Sequence, residues 1–125
     1  DGLARLRKRY LIAPLSNGNL ALLTHMAKHA GLPWDCILSA ELVRHYKPDV
    51  EVYRSAFEFF DLKPAEVMMV AAHPNDLWVP KKLGMKTAYV HRPKEHGGPA
   101  PKLPPTNAFD FVVKDFLDLA SRLGL

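Results

Sequence analysis

The chain has 125 residues, 48% of them hydrophobic and 24% charged, which is enough for one ordinary domain and too little for two. No run approaches the roughly 18 uninterrupted apolar residues of a membrane-spanning helix, and the opening DGLARLRKRY lacks the apolar stretch of a secretory leader, so a cytoplasmic protein with no membrane partner is expected. The formal charge of +4 is scattered: only Arg5, Arg7, Lys8 and Arg9 cluster, they point in several directions on a helix, and no phosphate-tracking stripe that would recruit nucleic acid is specified.

Along the chain, short apolar runs alternate with helical periodicity, which predicts an α/β layer architecture in the order helix, strand, helix, strand, helix, strand, helix, strand, strand, helix. The first strand is placed at Tyr10 to Leu15, bounded by the turn-forming Ser16-Asn17-Gly18. A helix follows from about Asn19 to Ala30 and ends at Gly31 and Pro33. The lone cysteine, Cys36, has no disulfide partner within the chain, which suits a reducing compartment. Ile37 to Ser39 reads as a short strand. Asp49 then caps a helix whose Val52, Tyr53, Ala56, Phe57 and Phe60 form one stripe.

Val67 to Ala72 is a continuous apolar run, as in a parallel strand covered on both faces, and is placed at the centre of the sheet. Asn75-Asp76 starts a helix to Lys82, with Pro80 acceptable only in its first turn, and Gly84 ends it. Thr87 to Val90 is the next strand. Five of the 11 prolines lie between Pro93 and Pro105 and predict an irregular surface loop. Phe109 to Val113 is the last strand, and Phe116, Leu117, Ala120 and Leu123 mark an amphipathic terminal helix.

Ligands of parallel α/β sheets gather at the carboxyl ends of the strands, where helix N-termini present unpaired N–H groups. Three segments converge there. Ser16-Asn17-Gly18 suits a cradle for a carboxylate or phosphate, and equally an ordinary helix cap. In Tyr46-Lys47-Pro48-Asp49 the lysine precedes proline, which holds it extended and aims its ammonium from a fixed loop; a solvated lysine is the plainer reading. Ala71-Ala72-His73-Pro74-Asn75-Asp76 delivers a histidine and an aspartate to the same edge, either for chemistry or as a loop histidine and a helix cap.

Together, Pro14-Leu15-Ser16-Asn17-Gly18, Tyr46-Lys47-Pro48-Asp49 through Tyr53, and Ala71 through Asp76 followed by Gly84 and the strand to Val90 resemble motifs two, three and four of the haloacid dehalogenase superfamily. They are most similar to the type II 2-haloacid dehalogenases, over nearly the whole chain. The resemblance implies a Rossmann-like core, with a parallel sheet and helices on both faces. In it an aspartate after the first core strand attacks the substrate carbon, displaces halide and forms an ester that water cleaves. It implies no cofactor and no metal. Carried over by position, Ser16 and Asn17 would hold the carboxylate of a small-molecule substrate, and Lys47 would balance the nucleophilic aspartate. Asp76 would orient Lys47 or the hydrolytic water, and Tyr53 would line the site. The resemblance also allows a homodimer.

Two departures matter. The family's nucleophile motif lies well upstream of the serine motif, yet Asp1 is the only acid before Ser16 and no apolar strand precedes it; the cap segment between them is missing as well. Residues 1–125 are therefore expected to form a partial core domain, inert alone, with open strand edges where the family's first strand lies between the strand ending at Ser16 and the one ending near Ala72. In the fourth motif, Ala71 and His73 stand where dehalogenase-like sequences carry Ser and Asn. His73 is a candidate general base, or a hydrogen-bonded structural histidine. A small-molecule phosphatase on the same core, the one reading that would require magnesium, is the alternative enzyme, although Ala72 replaces its usual second acid. A non-catalytic binding module that kept the anion cradle is the alternative outside enzymology.

Overall fold

A computed structural model describes residues 2–92 and 107–125. Asp1 and the proline-rich loop expected between Pro93 and Pro105 lie outside the described residues. Helix α1 (Gly2–Arg7) leads to β1 (Leu15–Ser16), α2 (Leu20–Ala30) and β2 (Leu38–Ser39). A 3-10 turn at Ala40–Leu42 precedes α3 (Val50–Glu58), and a second at Pro64–Glu66 precedes β3 (Met68–Ala71). A third at Pro74–Asp76 leads into α4 (Trp78–Lys82), then β4 (Lys86–Val90), β5 (Phe111–Val113) and α5 (Phe116–Arg122). None of the described helices is long and apolar enough to cross a membrane.

Every strand pair is parallel, in two sheets: β1 with β2, and β3–β4–β5. Among the described residues no ladder joins β1 to β3, so each keeps one open edge, at the place where the sequence predicts a missing strand. Helices cover both faces, which gives the expected α/β layering. On one face Tyr53, Ala56 and Phe57 of α3 pack with Leu38 of β2, Met69 of β3 and Tyr89 of β4, so α3 spans both sheets. On the other, Leu6 of α1 and Leu119 and Ala120 of α5 pack on Ala88 and Val90 of β4 and Val113 of β5. Adjacent residues of β4 thus serve opposite cores, as the two-residue period of a strand requires.

Several elements follow the sequence closely. Asn19 caps α2 by accepting from Leu22 N at 2.8 Å, and Gly31, at φ 65°, turns the chain out of it. Val52, Tyr53, Ala56 and Phe57 are buried on the predicted stripe, with Phe60 packed beside them beyond the helix end.

Others differ for identifiable reasons. β1 starts at Leu15 instead of Tyr10, because Ile12 N donates to the Asp35 carboxylate at 2.8 Å and Pro14 has no N–H to offer a ladder. The strand expected from Phe109 starts at Phe111, since the Asp110 carboxylate accepts from Thr87 N at 2.8 Å where a backbone partner would sit. The helix expected from Asn75 splits into a 3-10 turn and a separate α4. Pro80 is the third residue of α4, where a missing N–H forfeits no intrahelical bond.

β4, not β3, is the central strand of its sheet. The apolar run of β3 reports cover on two faces, which is independent of pairing on two edges. In α5 the inward stripe is Phe116, Leu119, Ala120 and Leu123; Leu117 faces outward. Asp49 occupies the N-cap of α3, but its carboxylate accepts nothing from the helix.

Candidate active site

The predicted segments meet at the carboxyl ends of β1 and β3, beside their open edges. Asp76 ends the 3-10 turn after β3, placed by its own N–H, which donates to the His73 carbonyl at 3.0 Å. Its two carboxylate oxygens take different partners: Oδ2 accepts from Lys47 Nζ at 2.8 Å, and Oδ1 from the Tyr53 hydroxyl at 2.6 Å. Lys47 comes from the loop between β2 and α3 and Tyr53 from the first turn and a half of α3, so the cluster ties one sheet to the other. The Lys47 and Asp76 side chains are 17% and 25% exposed, which keeps the ion pair out of bulk water while leaving the ammonium reachable. An ammonium has three donors and Asp76 takes one.

Tyr53 is buried, and its hydroxyl is held well above the ordinary phenol range. Burial is the largest cause, followed by the hydrogen bond to Asp76 and the charge of that carboxylate. Tyr53 is therefore a fixed neutral donor to Asp76 at any physiological pH. The ring also lies 5.9 Å from Lys47 Nζ, so the ammonium rests over an aromatic face.

The serine motif is built in from the other side. Ser16 is half-buried at the end of β1, and its Oγ accepts from Gly18 N at 3.0 Å, which tightens the turn into α2. Asn17 is exposed, and its Oδ1 accepts from the backbone N–H of Lys47 at 2.7 Å. One side chain thus fastens the serine loop to the lysine loop and leaves the amide donors of Asn17 and the hydroxyl proton of Ser16 for other acceptors. His73 begins the 3-10 turn with its side chain exposed, and its carbonyl helps to position Asp76.

Two further residues support the site through contacts that the sequence does not mark. Ser39, buried at the end of β2, donates from Oγ to the Gly18 carbonyl at 2.6 Å and accepts from Glu41 N at 3.1 Å. Glu41 Oε1 accepts from Leu20 N at 3.0 Å, at the first turn of α2. The Ser39–Gly18 and Glu41–Leu20 contacts each cross 21 residues, although Ser39 also caps the 3-10 turn at Ala40–Leu42 locally.

This arrangement holds a lysine ammonium, its carboxylate partner and a hydroxyl-amide pair around one strand edge, a layout suited to gathering anions. Residues 1–84 match the family of haloacid dehalogenase-like hydrolases. An (S)-2-haloacid dehalogenase of Pseudomonas sp. (strain YL) is 33% identical over 95 residues, covering 74% of this chain and 41% of the relative.

Among solved structures, the L-2-haloacid dehalogenase PA0810 is 46% identical with a TM-score of 0.92, over 98% of this chain and 54% of that one. The L-2-haloacid dehalogenase from Xanthobacter autotrophicus with chloropropionic acid covalently bound is 28% identical with a TM-score of 0.83, over 98% and 58% respectively. The chain therefore spans about half the length of the proteins it matches. With parallel strands, two helical layers and three motifs converging on one edge, the chain belongs to the haloacid dehalogenase-like hydrolase family and is similar within it to the 2-haloacid dehalogenases.

Proposed function

We propose that the protein hydrolyses small 2-haloalkanoic acids. An aspartate oxygen, carried on a strand seated between β1 and β3, attacks C2 of the substrate; the carbon–halogen bond breaks and halide leaves, giving an aspartyl ester. Water then adds to the ester carbonyl, the ester C–O bond breaks, and the 2-hydroxy acid and a free carboxylate result. Lys47 offsets the repulsion between the attacking carboxylate and the substrate carboxylate, with Asp76 and Tyr53 fixing its position. Ser16 Oγ and the Asn17 amide bind the substrate carboxylate, Tyr53 lines the cleft, and His73 takes the proton of the hydrolytic water.

The observation that carries this reading is the Lys47–Asp76–Tyr53 cluster beside two open parallel edges. Among the described residues the carboxylate paired with Lys47 is that of Asp76, whose oxygens are both engaged, so the attacking group is a different acid. The 125 residues alone are accordingly proposed to be inert. A solved relative that holds chloropropionic acid covalently supports the ester route.

No step of this scheme calls for a metal or cofactor. A magnesium-dependent small-molecule phosphatase is the second reading. Asp76 is the one acid between Ala71 and Asp76, and its engagement by Lys47 and Tyr53 leaves few hard oxygen ligands there, which favours the first reading.

The test is chloride release from (S)-2-chloropropionate by the full-length protein in the presence of a chelator, with phosphate esters and magnesium assayed in parallel. Turnover that falls by about a thousandfold in K47A is expected. Magnesium-dependent phosphate release without halide release would select the phosphatase, and no turnover of either substrate would select the binding module. An intact-mass-verified 14.0 kDa chain that turns over the haloacid by itself would overturn its proposed inertness.

A further inference from the structure

We propose that His45, Asp49 and Glu51 form a binding site for a divalent first-row transition cation of the zinc type, separate from the Lys47 cluster. His45 Nδ1 lies 3.2 Å from Asp49 Oδ2 and 3.3 Å from Glu51 Oε2, and the three donor atoms all fall within 4.8 Å of one another. In a tetrahedral zinc site with bonds of about 2.0–2.1 Å, neighbouring donors stand about 3.3 Å apart. Two of the three edges therefore already have the right length, and the third closes by rotation of exposed carboxylates, which meets little packing resistance.

The backbone prepares this arrangement. Asp49 N donates to the Tyr46 carbonyl at 2.8 Å, a turn that brings residue 49 back beside residue 45. Asp49 stands at the N-cap of α3 yet caps nothing: its carboxylate forgoes the helix amides and faces the imidazole. An aspartate that gives up the usual partner of its position is available as a ligand.

The chemistry of the donor set selects the ion. One imidazole nitrogen with two carboxylates suits zinc, cobalt or nickel, whereas calcium and magnesium take six or more oxygens. Two carboxylates and a neutral imidazole also balance a dication, and this outweighs the partial positive charge at the start of α3. Solvent completes the fourth position. Bound metal would cross-link residues 45 to 51, the stretch that carries Lys47 and Pro48. Nothing in the sequence alone marks the trio, because the spacing 45, 49, 51 fits no single helix face and on a strand would spread the donors over about 20 Å.

The test is calorimetric titration of the full-length protein with zinc chloride, with cobalt(II) absorption as a geometry probe. His25 and His29, four residues apart on α2 and both exposed, are a competing pair for the same ions. The parent for the test therefore carries H25A/H29A. Near one equivalent of zinc is expected to bind, with a visible cobalt band typical of four-coordination. H45A and the isosteric D49N/E51Q should each weaken binding by about tenfold or more. Zinc should also raise the melting temperature of the parent and not of H45A. Unchanged affinity in both variants, or no zinc uptake by the parent, would overturn the proposal.

Discussion

The side chain of Asn17 accepts a 2.7 Å hydrogen bond from the backbone N–H of Lys47, a residue 30 positions away. The loop that ends β1 therefore sets the position of the loop that carries the ammonium. In N17A the bond is lost at an exposed site where water can replace it, so stability should fall by only about 0.5–1.5 kcal/mol. Halide release by the full-length protein should fall much further, because the substitution removes a proposed substrate donor and loosens Lys47 together. Parallel denaturant titration and turnover measurements check the disproportion; equal, small effects on both would contradict it.

Lys47 and Asp76 form a partly buried pair 2.8 Å apart. Removing one partner leaves the other charge poorly compensated, so K47M and D76N should each cost about 1–3 kcal/mol, between the exposed and buried limits. The double variant should lose less than the sum, since the second change relieves the charge stranded by the first. A double-mutant cycle in urea measures the coupling, and strict additivity would show that the pair does not act as a unit.

The Tyr53 hydroxyl is held above the usual phenol range by burial first and by Asp76 second. The folded state therefore keeps this proton more tightly than the unfolded chain does. Its contribution is fully present below about pH 10, the ordinary phenol value, and is lost as pH rises from there through the folded value. Y53F should flatten that alkaline decline of stability. At neutral pH it should cost about 1–3 kcal/mol, because Asp76 Oδ1 loses its donor. Melting curves from pH 8 to 11 make the comparison.

Asp35 behaves in the opposite sense. The backbone N–H of Ile12 is the largest cause that holds its pKa below the ordinary carboxylate value, ahead of the hydrogen bond and charge of Arg7, with partial desolvation acting against them. A depressed folded value means stability that is present above the unfolded carboxylate value of about 3.9 and is lost as pH falls below it. D35N should reduce the slope of acid unfolding in that range, as read from stability at pH 2 to 5.

Gly2 lies where α1 meets α5, and a Cβ there would overlap the backbone and Cβ of Phe116 and sit 2.6 Å from Leu117 N. A helix backbone cannot yield as a flexible side chain can. G2A should cost about 1–3 kcal/mol through overpacking, against the usual helix preference for alanine. Loss of that penalty in a thermal melt would show that α1 slides freely on α5.

Local chemistry made much of this protein legible in its sequence. The caps of α2 at Asn19 and Gly31, the buried stripe of α3 and the three motif loops each depend on residues a few positions apart, and such signals survive without coordinates. The limits of β1 and β5 were not legible, because the Asp35 and Asp110 carboxylates that replace ladder partners act across 23 residues.

The same holds inside the site. The predicted strand ends placed Lys47 and Asp76 on one sheet edge and the family resemblance added Tyr53, but only the tertiary structure determined that one carboxylate divides its oxygens between an ammonium and a hydroxyl, and that Asn17 fastens the two loops. It also determined the centrality of β4 and the meeting of His45, Asp49 and Glu51. Sequence periodicity reports which face of an element is covered; which atoms meet across elements is set by how the two helical layers and the sheets pack.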